Sequence, residues 1–163
     1  MSLLEVSDLG VHFRSGGREI VAAEGVSFTL DRGETLALVG ESGCGKTTTG
    51  RAILRLVEPT SGAVHFGGED VTALDRASLR RMRRRMQIVF QDPYSSLDPR
   101  QSGSQLIDEV LRVHHDHDAK DRRRIVGELA ELVGLDQRQI DAMPRALSGG
   151  QRQRVAIARA LAT

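Results

Sequence analysis

Apolar and polar positions alternate at the start of this chain, and the period switches between strand-like and helix-like several times before its end. Leu3 to Leu9 and Val11 to Phe13 read as short strands, Ser15-Gly16-Gly17 as a turn, and Val26, Phe28 and Leu30 as one face of a third strand. Asp31-Arg32-Gly33 turns the chain into Thr35 to Val39, which is apolar on both faces, the pattern of a buried parallel strand. A glycine-rich stretch follows, and then Ala52, Ile53, Leu56 and Val57 recur at helical spacing until Glu58-Pro59 stops them. Ala63 to Phe66, set between Thr60-Ser61-Gly62 and Gly67-Gly68, predicts an edge hairpin. Asp75 predicts the start of a helix carrying Arg80, Arg81, Arg83, Arg84 and Arg85, and Met86 to Phe90 a second apolar strand. From Ser104 to Gly134 the period is helical, with Leu106, Ile107, Val110 and Leu111 on one stripe and Ile125, Leu129, Leu132 and Val133 on another. Ser148 predicts the start of a last helix with Val155, Ala158 and Ala162 on one face.

Composition narrows the picture. The 163 residues, 39% hydrophobic and 28% charged, are enough for one domain with a real core. A net charge of +1 gives no general pull toward nucleic acid, and no apolar run approaches the roughly 18 residues that a membrane helix needs. The N-terminus shows no basic region followed by an apolar core, so no secretory signal is read and a cytosolic protein is expected. Cys44 is the only cysteine, which excludes an internal disulfide.

The stretch between the first buried strand and its helix carries the clearest chemistry. Gly40-Glu41-Ser42-Gly43-Cys44-Gly45-Lys46-Thr47-Thr48 fits G-x-x-x-x-G-K-[ST] from Gly40 to Thr47. Glycines let backbone N–H groups converge on phosphate oxygens, the lysine reaches the outer phosphates, and the Thr47 hydroxyl is placed for Mg²⁺. Strand, loop and helix occur in the required order, so the helix N-terminus adds its partial positive charge. Of the chain's 23 cationic residues 21 are Arg and 2 are Lys, and one of those two, Lys46, stands where a compact point charge is wanted. Cys44 admits two readings: a thiol whose thiolate is favoured by Lys46 and the helix N-terminus, or a small filler in a tight loop.

Other residues leave alternatives open. Phe13, just before the glycine turn, suits stacking on an adenine ring and ordinary hairpin packing about equally. The arginines from Arg80 to Arg85 lack interleaved aromatics, so a solvated helix face or a surface for an acidic partner is a better reading than a nucleic-acid site. Gln91, at the end of the second apolar strand, could reach a metal with its side-chain carbonyl, whereas Asp92 is hemmed in by Pro93 and is a poorer metal ligand. Prolines at 93 and 99 make the loop after Gln91 exposed and semi-rigid. His114-His115-Asp116-His117-Asp118 reads as a solvated inter-helix segment rather than a metal site. Ser148, Gly149 and Gly150 at a helix start leave backbone N–H groups uncovered and make a second anion site.

Leu147-Ser-Gly-Gly-Gln151 resembles the signature motif of ATP-binding-cassette ATPases, and with the phosphate loop ahead of it the match is specific. VGESGCGKTT, FQDPYSSLDPR and LSGGQRQRVAIARALA resemble, more narrowly, the ATPase subunits of bacterial oligopeptide, dipeptide and nickel importers. The resemblance implies an α/β P-loop NTPase fold in four parts. These are an N-terminal antiparallel sheet layer (1–34), a P-loop core reaching past Gln91 (35–100), a helical subdomain (101–147), and the signature motif with its helix (147–163). It implies that Phe13 stacks the adenine, that residues 40–48 hold the triphosphate of ATP, and that Thr47 and Gln91 complete the Mg²⁺ shell. Leu147, Ser148, Gly149, Gly150 and Gln151 would act in trans, on nucleotide bound to a second cassette subunit, identical or not. Transmembrane permease subunits would be the other partners, holding the protein at the inner face of the membrane.

Only 12 residues (163 minus 151) follow Gln151. The family continues with an apolar strand ending in Asp-Glu, an Asp-containing loop and a switch histidine, so a C-terminally truncated cassette without a general base is expected. Two readings therefore stand: an ATP-binding importer subunit that couples hydrolysis to uptake of peptides or related solutes, and a remnant that binds ATP or a partner cassette without hydrolysis. A GTPase is excluded because its guanine-reading N-K-x-D motif needs an Asn, and the chain has none.

Overall fold

The computed structural model describes residues 2–92 and 96–163, so Pro93, Tyr94 and Ser95 of the loop after Gln91 lie outside the described residues. The chain divides into two compact units, one ending at Arg83 and one beginning at Arg84.

The first unit is built on a four-stranded antiparallel sheet. Strand β1 (Leu4–Ser15) pairs with β2 (Arg18–Leu30) and, on its other edge, with β3 (Ser61–Phe66), which pairs in turn with β4 (Glu69–Asp70), giving the order β2-β1-β3-β4. The two short strands expected at the N-terminus are one strand. Its apolar rhythm breaks because the register shifts between Val6 and Leu9 and again near Val11, around Asp8 at φ 50°. The third expected strand likewise starts earlier, at Arg18, since Gly16 and Gly17 at φ 58° and 77° form the two-residue turn that pairs Ser15 with Arg18. Gly62 sits against the Asp8 carbonyl, where any Cβ would collide with the backbone.

Helix α1 (Lys46–Ile53) packs on β1 and β2 through Thr49, Ala52 and Ile53, joining Val6, Leu9, Val11 and Val64 in the core. At about 1.5–3 kcal/mol for each fully buried large aliphatic side chain, such residues dominate the unit's stability. The helix stops short of the expected Pro59 boundary. Arg55 adopts φ 49°, and its guanidinium donates to the Val71 and Leu74 carbonyls at 3.1 and 2.7 Å. Helix α2 (Arg76–Met82) starts at Asp75, whose carboxylate accepts from the Ser78 amide at 2.7 Å.

Two expected strands do not form. Residues 35–39 and 86–90 lie without strand pairing among the described residues, and Leu36, Leu38 and Val39 are 46%, 43% and 91% exposed. The physical reason is that a strand of this composition is stable only when ladder partners take up its N–H and C=O groups, and among the described residues no strand pairs with either segment.

The second unit is helical: α3 (Gly103–His114), α4 (Ala119–Leu132), α5 (Gln137–Ile140), a 3₁₀ turn (Pro144–Ala146) and α6 (Gly149–Leu161). Ile107, Leu111, Ile140, Val155 and Ala158 lie in its core, and the first apolar stripe packs there as expected. The second is shifted, with Val126 and Ala130 buried, Ile125, Leu129 and Val133 only partly covered, and Leu132 71% exposed. Ser102, Asp118, Asp136 and Ser148 cap the four helices, three of them in reciprocal capping boxes with a glutamine. The His-rich segment is the connection between α3 and α4. Asp118 serves as the α4 cap and the His115 and His117 rings stack with centroids 5.2 Å apart. No described helix is long and apolar enough to cross a membrane.

Candidate nucleotide site

Residues 40–48 pass from the exposed apolar run into α1 with the glycines doing three different things. Gly43, at φ 86°, has open space where a Cβ would stand, so it supplies conformation alone. A Cβ on Gly40 would approach Cys44 Sγ to 2.7 Å, so its absence lets the loop close on itself. Gly45, at φ 92°, lies against the Ala22 carbonyl of β2, which fixes the start of α1 to the sheet.

Lys46 bends back over this loop. Its ammonium donates to the carbonyls of Gly40 at 2.7 Å and Glu41 at 2.6 Å, with Cys44 Sγ at 3.4 Å. Cys44 is exposed, as are Glu41, Ser42, Gly43 and Thr47, while Thr48 is half-buried. Thr49 is turned inward, and its hydroxyl donates to the Gly45 carbonyl at 3.0 Å. The donor set fits a polyphosphate: an ammonium at the loop, a helix start whose amides no side chain caps, and a Gly43 backbone facing open space.

Phe13 is 41% exposed on β1, opposite Ile20 of β2, which with Val21 is also exposed. Beside it His12 bridges two carboxylates of β2, Glu24 through Nε2 and Glu19 through Nδ1 at 3.2 Å. The hydrogen bond to Glu24, then that to Glu19, raises the imidazole above its ordinary value. Gln91 and Asp92 lie exposed in the irregular segment after residues 86–90.

Leu147 is buried at the entry to α6, and Ser148 caps the helix. Ser148 Oγ accepts from the Gln151 amide at 3.2 Å while Gln151 Oε1 accepts from the Ser148 amide at 2.8 Å, so the N–H groups presented outward are those of Gly149 and Gly150. Sequence reasoning missed what holds this turn in place. Arg152, only 7% exposed, donates to the Pro144 carbonyl at 2.8 Å, and an arginine in an arginine-rich stretch gives no signal that it is buried. The same holds for Arg83, which donates to the Leu54 and Arg55 carbonyls at 3.1 and 2.6 Å and so closes the C-terminus of α1.

The family model described as ABC transporter matches residues 23–163. The oligopeptide transport ATP-binding protein OppF of Bacillus subtilis is 48% identical over 162 residues, covering 98% of this chain and 53% of the relative. The glutathione import ATP-binding protein GsiA of Escherichia coli is 53% identical over 145 residues, 89% of this chain and 23% of its own length. The dimeric ATP-binding cassette MJ0796 in a post-hydrolysis state with ADP and Pi superposes with a TM-score of 0.87 at 31% identity, covering 98% of this chain and 69% of that one. The chain thus spans about half the length of OppF. With a glycine-cradled lysine loop ahead of a Ser-Gly-Gly helix start, and with relatives about half identical along most of its residues, the chain belongs to the ABC transporter family of ATP-binding cassettes.

Proposed function

We propose that this chain is the nucleotide-binding part of an ATPase subunit that drives import of peptides or related solutes. The observation that carries the reading is the loop itself, with Lys46 folded among loop carbonyls at the start of α1. The importer class rests on the names of the relatives, which are ATP-binding proteins of oligopeptide and glutathione import. In this reading Gly40, Glu41, Ser42, Gly43, Cys44, Gly45, Lys46, Thr47 and Thr48 surround the triphosphate of ATP, and Phe13 stacks its base. Thr47 and Gln91 hold Mg²⁺, whose chemistry there is to neutralise phosphate charge. Leu147, Ser148, Gly149, Gly150 and Gln151 serve a nucleotide bound to a second cassette subunit, and permease subunits complete the assembly at the inner membrane face. The parts 1–34, 35–100, 101–147 and 147–163 keep the roles of sheet layer, P-loop core, helical subdomain and signature helix.

Calorimetric titration with Mg-ATP tests the site. Lys46→Ala removes charge-assisted contacts worth about 1.5–3 kcal/mol and is expected to weaken binding roughly 10- to 150-fold. Unchanged affinity in a folded Lys46→Ala protein would sink the assignment.

A further inference from the structure

The densest run of positive charge in the chain lies outside the nucleotide-binding elements. Six arginines stand between Arg76 and Arg85, with no Asp or Glu between Asp75 and Asp92. The structure sorts the part in the first unit into two kinds. Arg83 is turned inward to the carbonyls of Leu54 and Arg55, and Leu79 and Met82 are buried, so α2 is anchored on that side. Arg76, Arg80 and Arg81 are exposed, and among the described residues none of the three forms an ion pair with a carboxylate. Arg81 donates instead to the Ser78 hydroxyl at 2.8 Å.

Exposed arginines elsewhere are of both kinds: Arg14, Arg18 and Arg138 form no ion pair among the described residues, while others are paired. Arg112 pairs with Asp108 and Arg124 with Glu128, each at 2.7 Å and one helical turn away. What sets α2 apart is that three such arginines stand together within residues 76–81, in a stretch without a carboxylate after Asp75. The arrangement also works against the helix. Arg76 occupies the first helical position, at the positive end of the dipole, and repels Arg80 one turn on. The Asp75 carboxylate at the N-cap offsets part of this cost and attracts Arg81, but no carboxylate of α2 itself faces the three arginines.

We propose that the Arg76-Arg80-Arg81 face of α2 docks an acidic protein segment whose carboxylates are spaced one helical turn apart. Guanidinium groups at i and i+4, with Cβ atoms about 6 Å apart on an anchored element, match that spacing and can each take a carboxylate in bidentate fashion. Two other polyanions fit less well. No aromatic or large apolar side chain is exposed on α2, which leaves nothing to stack on bases or to enter a headgroup layer. A net charge of +1 supplies no long-range attraction to either.

The test uses the full chain and a fluorescent alanine-based helical peptide of about 16 residues carrying Glu at i, i+4 and i+8. Anisotropy is expected to show binding that weakens as salt rises, and no binding of the peptide with Gln in place of Glu. Arg76→Ala/Arg80→Ala/Arg81→Ala is expected to lose at least about tenfold in affinity. Arg80→Ala alone, which removes one exposed side chain and no described contact, is expected to lose about threefold and guards against misfolding of the triple variant. Equal binding by wild type and both variants would overturn the proposal. So would equal binding of a peptide with the same Glu count at non-helical spacing, or tighter arginine-dependent binding of phosphatidylglycerol vesicles or a single-stranded RNA than of the peptide.

Discussion

At Gly45 the backbone leaves no room for a side chain, because φ is 92° and the Ala22 carbonyl of β2 stands where a Cβ would go. Gly43 shares the left-handed conformation, at φ 86°, but faces open space. The two positions therefore separate strain from collision. Gly43→Ala is expected to cost about 1–2 kcal/mol through backbone conformation alone. Gly45→Ala should cost about 2–4 kcal/mol, since the start of α1 must also move off the sheet. Urea midpoints at constant slope measure the difference, and equal losses would show that the contact with β2 is unimportant. The loop motif was legible as a string of residue types, but which glycine touches the sheet was not.

Among the elements, the helix starts were the most legible, because a capping box is a local pattern. Ser148 with Gln151 is such a box in the structure. Ser148→Ala is expected to lower stability by about 1 kcal/mol, and Gln151→Glu to leave it near wild type, since a carboxylate at that position also accepts from the cap amide. Thermal midpoints decide between them, and a loss with Glu equal to that with Ala at position 148 would contradict the box. The β1–β2 hairpin carries a pH-dependent tie that its alternating pattern did not reveal. His12 is raised by Glu24 and then Glu19. A raised imidazole contributes stability that is fully present below its unfolded value of about 6.5 and is lost as pH rises through the higher folded value. The stability difference between wild type and His12→Asn should therefore shrink from about pH 6 upward. A difference that stays constant across that window would exclude the tie.

For the whole molecule, order follows the distribution of ladder partners. Val11 and Val64 sit in paired, buried strands, whereas residues 36–39 are exposed and unpaired among the described residues. Amide exchange followed by mass spectrometry is expected to run at least about a hundredfold faster over 36–39 than over β1 and β3. Comparable protection would mean that the apolar run finds ladder partners in solution.

The caps at Ser102, Asp118 and Asp136 emerged only in the structure. What the residues determined by themselves was local: the glycine turns at 16–17 and 67–68, the caps at Asp75 and Ser148, and the lysine loop ahead of a helix. Each depends on conformations and hydrogen bonds within a few residues, so sequence spacing carries it. Tertiary structure decided the rest. Residues 35–39 and 86–90 have the composition of buried strands but not the neighbours, and a strand exists only as one side of a ladder. Arg55, Arg83 and Arg152 look like surface cations, yet each turns its guanidinium onto backbone carbonyls from a distant or preceding segment. No pattern along one chain specifies such a choice, because it depends on which carbonyls the fold leaves without an amide.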